Sequence, residues 1–156
     1  MYDALTITKD IVLIAGGIAG LLTVMKGVAE YRRQGKQKRV ELYLELENRL
    51  LRNPDFQKIR NMINDKDPAV GKLDHKLRSD YAGFFETIAL MTNSGLMTKE
   101  VSCHMFSWDA IACWENKKFW EDFDTDDQYW GVLRVFVNDM KRLRPILKGN
   151  PKKCKL

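Results

Sequence analysis

The chain has 156 residues, of which 45% are hydrophobic and 30% charged, and it carries a formal net charge of +5. That length suits one domain plus an appendage. Its three cysteines, Cys103, Cys113 and Cys154, form no CxxC pair, which excludes a disulfide-stapled secreted scaffold and fits a reducing compartment. The charge is uneven: residues 26–39 hold six bases against Glu30, residues 141–156 hold seven bases and no acid, and residues 40–140 hold eighteen acids against twelve bases. An acidic body between two basic segments excludes a basic nucleic-acid face spread over the whole fold. It fits an anionic neighbour, lipid or nucleic acid, at the flanks.

The first element lies in KDIVLIAGGIAGLLTVMKG, residues 9–27, which supports two readings. As a strand and glycine turn, Ile11 to Ile14 lead into Ala15-Gly16-Gly17-Ile18-Ala19-Gly20, and Glu41 lies where a ribose-binding acid is expected. Against this, Ala15 occupies the position of the first glycine, where positive φ costs little only without a Cβ. Nothing after residue 50 alternates like a strand, so the sheet that such a turn needs is missing.

As a membrane helix, Ile11 to Met25 is an uncharged run that reaches Ala29 if Lys26 snorkels. Residues 11–29 then approach the ~20 positions needed to cross ~30 Å of hydrocarbon. Ala15, Ala19, Thr23 and Gly27 recur at every fourth position, and Gly16 and Gly20 form a GxxxG beside them. Each such glycine costs a soluble helix about 1 kcal/mol relative to alanine, whereas in lipid small residues permit close helix–helix approach. Self-association through this face and the ordinary abundance of small residues in spans both account for the spacing.

The segment 1–10 is short and slightly acidic. The juxtamembrane segment 30–39, with Lys26 just before it, is basic through Lys26, Arg32, Arg33, Lys36, Lys38 and Arg39. The positive-inside rule then places the N-terminus outside and the remainder in the cytoplasm. The basic block follows the apolar run rather than preceding it, which excludes a cleaved signal peptide.

The cytoplasmic part, residues 40–147, reads as helices. From Val40 to Arg52, Tyr43, Leu46 and Leu50 share a face with Val40, Leu44 and Leu51 beside it, although Val40 to Glu45 also alternates as a strand would. Asn53-Pro54 is a break, after which Phe56, Ile59, Met62 and Ile63 mark a short helix ending at 64–68. From about Lys72 to Thr92, Leu73, Leu77, Tyr81, Phe84, Phe85 and Ile88 form an apolar stripe, closed by Asn93-Ser94-Gly95. Thr98 is read as the N-cap of a helix carrying Val101, Met105, Trp108, Ile111 and Ala112. Thr125 with Gln128 reads as a capping box before Leu133, Phe136, Val137, Met140 and Leu143. The basic segment 148–156 is expected to be a mobile tail.

Catalytic chemistry is not signalled, and the chain is expected not to be an enzyme. Cys103 and His104 are adjacent, so on a helix they point about 100° apart and cannot pair locally. Two histidines and three cysteines lack zinc spacing. Asp122, Asp124 and Asp126 lack the central glycine and terminal glutamate of a calcium loop. This acidic loop is read as a solvated turn at the positive end of the next helix. No metal or cofactor is expected. Among the aromatics, Trp108, Trp114, Trp120 and Trp130 are candidates for a docking patch.

The order of RRQGKQKR, VELYLELENRLLRNPDFQKIRNMI and FFETIALMTNSGLMTKEVSCHMFSWDAIACWE resembles a family of bacterial single-span helical proteins grouped as a domain of unknown function. The resemblance rests on Phe84, Phe85, Glu86, Ile88, Gly95, Leu96 and Trp114, and covers roughly residues 8–145. It implies a membrane anchor and an all-α fold, and it brings no catalytic residues. A second, architectural similarity is to the small membrane effector that accompanies an RNA-targeting CRISPR nuclease, which implies oligomeric, pore-like assembly.

The expectation is therefore an all-α protein with an N-terminal transmembrane helix and a small cytoplasmic helical bundle, single-pass in a bacterial inner membrane. Its partners would be the lipid bilayer and further copies of itself, as a membrane-perturbing effector in phage defence or stress. The alternative is a passive tether that recruits a soluble partner. A third reading, an RNA-binding helical domain, lacks the Arg-x4–6-His ribonuclease motif near His75 or His104.

Overall fold

The computed structural model of the protein describes residues 4–125 and 128–148, and side chains for Thr23, 25–28, Glu30, Tyr31, 33–35 and from 37 onward within that span. Every regular element among them is helical: α1 (Ala4–Arg52), α2 (Pro54–Asn64), a 3-10 turn (Pro68–Lys72), α3 (His75–Asn93), α4 (Lys99–Glu115), a second 3-10 turn (Gln128–Trp130) and α5 (Gly131–Lys148). The strand reading of 40–45 gives way to helix. The chain forms two compact units, Met1–Glu41 and Leu42–Leu156.

The first unit is the leading part of α1. Its backbone is helical from Ala4, without a break at the basic block. The described side chains from Thr23 to Arg39 are all exposed, including Met25, Val28 and Tyr31. Among the described residues no helix is long and apolar enough to cross a membrane. The span expected over 11–29 falls mainly on side chains outside the described residues, as do Ala15, Gly16, Ala19 and Gly20.

The second unit begins inside the same helix. Tyr43, Leu46 and Leu50, at helical spacing, are buried at 4%, 6% and 2% exposure, and the Tyr43 hydroxyl donates to the Leu96 carbonyl at 2.9 Å. Leu44 and Leu51 flank this stripe and stay exposed. Pro54 cannot continue a ladder of N–H donors, so α1 stops at Arg52. Asn53 then caps α2, its Oδ1 accepting from the Asp55 and Phe56 amides at 2.9 and 3.2 Å. Phe56, Ile59 and Ile63 face inward.

Helix α3 is the centre of the bundle. Tyr81, Phe84, Phe85 and Ile88 are no more than 1% exposed, and edge-to-face contacts link Phe56 to Tyr81 at 5.2 Å and Phe84 to Phe106 at 6.0 Å. The helix opens at His75, capped by Asp74, rather than at Lys72, because Pro68 and the Asp67 cap hold 68–72 in a 3-10 turn. That turn lies close to the loop after α4. A Cβ on Gly71 would meet the Lys118 carbonyl oxygen at 2.6 Å, so glycine is required there. Gly95 adopts φ +75°, the left-handed conformation that ends α3, and Thr98 accepts from the Val101 amide to open α4.

Two expectations need correction. The face assigned to α4 is offset: Val101 is buried, but Met105, Ile111 and Ala112 are only half-buried and Trp108 is exposed. The residues turned inward are Ser102, Cys103, Phe106, Ser107, Asp109, Ala110 and Cys113 as well as Val101. Helix α4 packs on α2, α3 and α5, so it is covered over a wide arc, and polar positions enter that arc by finding partners. Ser102 pairs with Thr92 at 2.6 Å, and Asp109 accepts from Arg60 at 2.6 Å. The second correction concerns α5, which begins at Gly131 after a 3-10 turn rather than at a Thr125–Gln128 capping box. Trp130 is packed on Trp120 and Phe123, which draws 128–130 into the tighter turn. Leu133, Phe136, Val137 and Met140 are buried as the spacing predicts, and Leu143 is half-buried.

Candidate functional site

Of the basic residues expected at a membrane surface, Lys26, Arg33, Lys38 and Arg39 are exposed on α1, and the side chains of Arg32 and Lys36 lie outside the described residues. Arg33 is braced against Glu30 at 2.9 Å, and that contact, followed by one from Gln34, holds the Glu30 carboxyl below its usual range. Thr23 and Gly27 of the small-residue face are exposed, and a Cβ on Gly27 would meet nothing within 4 Å.

The four tryptophans separate. Trp120 and Trp130 are core residues at 7% and 5% exposure. Trp120 donates from Nε1 to the Cys113 carbonyl at 2.9 Å and meets Trp114 and Trp130 edge-on, each at 5.1 Å. Its polar atom is satisfied inside, and Trp120 and Trp130 present little ring surface outside the core. Trp114 is half-buried beside them. Trp108 is 55% exposed, and the Arg144 guanidinium lies 4.3 Å from its ring centroid.

Trp108 stands at the wall of a cleft between α4 and the end of α5. His104, Ser107 and Trp108 face Arg144, Leu147 and Lys148 across a volume of about 410 Å³. A second cleft of about 370 Å³ is also lined by Arg144 and Lys148, with Ile111, Pro145 and Lys141, the last held to Glu115 at 2.7 Å. Lys141, Arg144 and Lys148 fall on one side of α5 at spacings of three and four, and the largely buried Leu147 also lines the first cleft.

Cys103 and His104 lie on different faces of α4. Cys103 is buried and His104 is exposed, as adjacent helical positions require. Cys113 is buried too, and burial followed by the nearby Asp109 charge pushes its thiol well above the usual range, away from the reactive thiolate. Cys154 lies outside the described residues. Among the described residues no group of three or more histidine, cysteine, aspartate or glutamate side chains is placed to hold a metal.

The acidic loop is anchored as well as solvated, by a residue that hydropathy alone does not single out. Arg78, 2% exposed, donates to the carbonyls of Phe119 at 2.7 Å, Glu121 at 2.8 Å and Leu73 at 3.2 Å. It also lies 5.0 Å from the Phe123 ring centroid and 3.8 Å from Asp122. The signal was present: Arg78 stands three and seven residues before Tyr81 and Phe85, on the buried stripe of α3. No protein-family model, curated protein or solved structure matches the chain.

Proposed function

We propose that the chain is a membrane-tethered helical protein whose residues 11–29 cross a bacterial inner membrane, with the N-terminus outside and the bundle in the cytoplasm. The observation that carries this reading is the uncharged run from Ile11 to Met25, set in a continuous helix whose next turns expose Lys26, Arg33, Lys38 and Arg39. A run of that length satisfies its backbone internally in lipid, and the basic turns meet anionic headgroups at the inner surface.

The tethered protein self-associates through Ala15, Gly16, Ala19, Gly20, Thr23 and Gly27, and the assembly perturbs the membrane as an effector in phage defence or stress. The small-residue spacing and the architectural similarity to the CRISPR-associated membrane effector support this step. Carbonate extraction of membranes from expressing cells tests the tether, with the protein expected in the pellet. In non-ionic detergent the expected mass is several times that of one chain, and Gly16→Leu with Gly20→Leu reduces it to one copy. A monodisperse monomer of the unsubstituted chain would refute self-association. A second reading, a tether that recruits a soluble partner, is favoured by Trp108, which keeps 55% of its surface exposed in a bundle whose other tryptophans are packed.

A further inference from the structure

The groove between α4 and α5 has chemistry that neither tethering nor self-association uses. Among the described residues, the first cleft is lined by two cations, Arg144 and Lys148, and by no acid. The single acid of the adjoining cleft, Glu115, is paired with Lys141. Cationic lining calls for an anionic occupant. Trp108 adds a second requirement: it is a large planar ring, more than half exposed, with the Arg144 guanidinium carbon over it at 4.3 Å from the ring centroid. Both groups stack on flat π systems.

An occupant must therefore carry planar rings and negative charges together. A lipid surface supplies the charges but no planar ring. An acidic peptide supplies the charges without a ring at each step. A duplex hides its ring faces inside the stack. A single strand of nucleic acid presents both, with a base and a phosphate at every unit. Length points the same way. Lys141 and Lys148 are seven residues apart on α5, about 10 Å of helix rise, and Arg144 and Lys148 line both clefts. That is longer than one nucleotide needs.

We propose that this groove binds single-stranded nucleic acid, with a base stacked at Trp108 and successive phosphates on Arg144 and Lys148. The proposal stands on the bundle alone and does not depend on the membrane reading. It needs no cleavage chemistry.

The test uses the full chain in non-ionic detergent and a fluorescein-labelled (U)12 oligonucleotide, read by anisotropy. Trp108→Ala is expected to weaken binding at least fivefold, the loss of about one stacked base, while Trp108→Phe stays within about twofold. Arg144→Ala is expected to lower the slope of log affinity against log salt by about 0.7, one phosphate contact on a single strand. Thermal unfolding of each variant is followed alongside, and the exposure of Trp108 makes an unfolded variant an unexpected result. The basic turns of α1 attract RNA non-specifically, so dependence on Trp108 is what assigns the groove. Absence of (U)12 binding, or equal binding by wild type and Trp108→Ala, overturns the proposal. It is also overturned if UMP competes as well as (U)12 at equal nucleotide concentration, which would make the ligand a free nucleotide. Trp108-dependent binding to phosphatidylglycerol vesicles in place of (U)12 overturns it in favour of a lipid surface.

Discussion

Helix α1 has two different fates along one continuous backbone. Around Tyr31 its described side chains are exposed, apolar ones included, whereas from Tyr43 to Leu50 every third or fourth residue is packed into the bundle core. The backbone hydrogen bonds are the same kind in both stretches, so they do not separate them. What differs is the burial of the described side chains. A long helix gains most of its stability from packing, and among the described residues of α1 the buried positions begin at Tyr43.

Substitutions in the two stretches probe this contrast. Leu50→Ala should destabilise the bundle by about 2–5 kcal/mol in chemical denaturation, since a 2% exposed side chain leaves a cavity; a loss below 1 kcal/mol would mean the α1 stripe is not core. Arg78→Met should cost about 2–3 kcal/mol by the same measurement, because the Phe119, Glu121 and Leu73 carbonyls lose their donor. It should also speed proteolysis within 119–125. An unchanged cleavage pattern would show that the loop holds itself. Asn53→Ala, which removes the cap between α1 and α2, should lower stability by about 1 kcal/mol. Tyr31→Ser, at a site 79% exposed, should change it by less than about 0.5 kcal/mol. An effect of Tyr31→Ser as large as that of Leu50→Ala would erase the distinction between the two stretches.

Much of the bundle was legible before its structure. The α3 stripe of Tyr81, Phe84, Phe85 and Ile88 and the α5 stripe from Leu133 to Met140 face inward as their spacing requires. These helices carry contiguous apolar faces, and the helical period alone orients such a face. The punctuation was legible for the same local reason: Pro54 removes a donor, Gly95 tolerates positive φ, and Thr98 accepts from its own first turn. The groove was legible only in fragments. Trp108 stood among candidate docking aromatics, but nothing local separated it from Trp120 and Trp130, which share its side-chain chemistry and lie in the core.

Neighbouring residues along the chain set its helical character, where most helices start and stop, and which residues of α3 and α5 share a face. Each of these follows from interactions within a few residues along the chain. Only the tertiary structure decided how much of α4 is covered, that Arg78 reaches across to the loop after α4, and that Arg144 meets Trp108. The physical reason is range. Arg78 and Glu121 are 43 residues apart, and Trp108 and Arg144 are 36 apart, so these contacts exist only after α3, α4 and α5 have packed. Periodicity assigns a face to a helix but does not say how many neighbours that helix will have, and α4 packs on three.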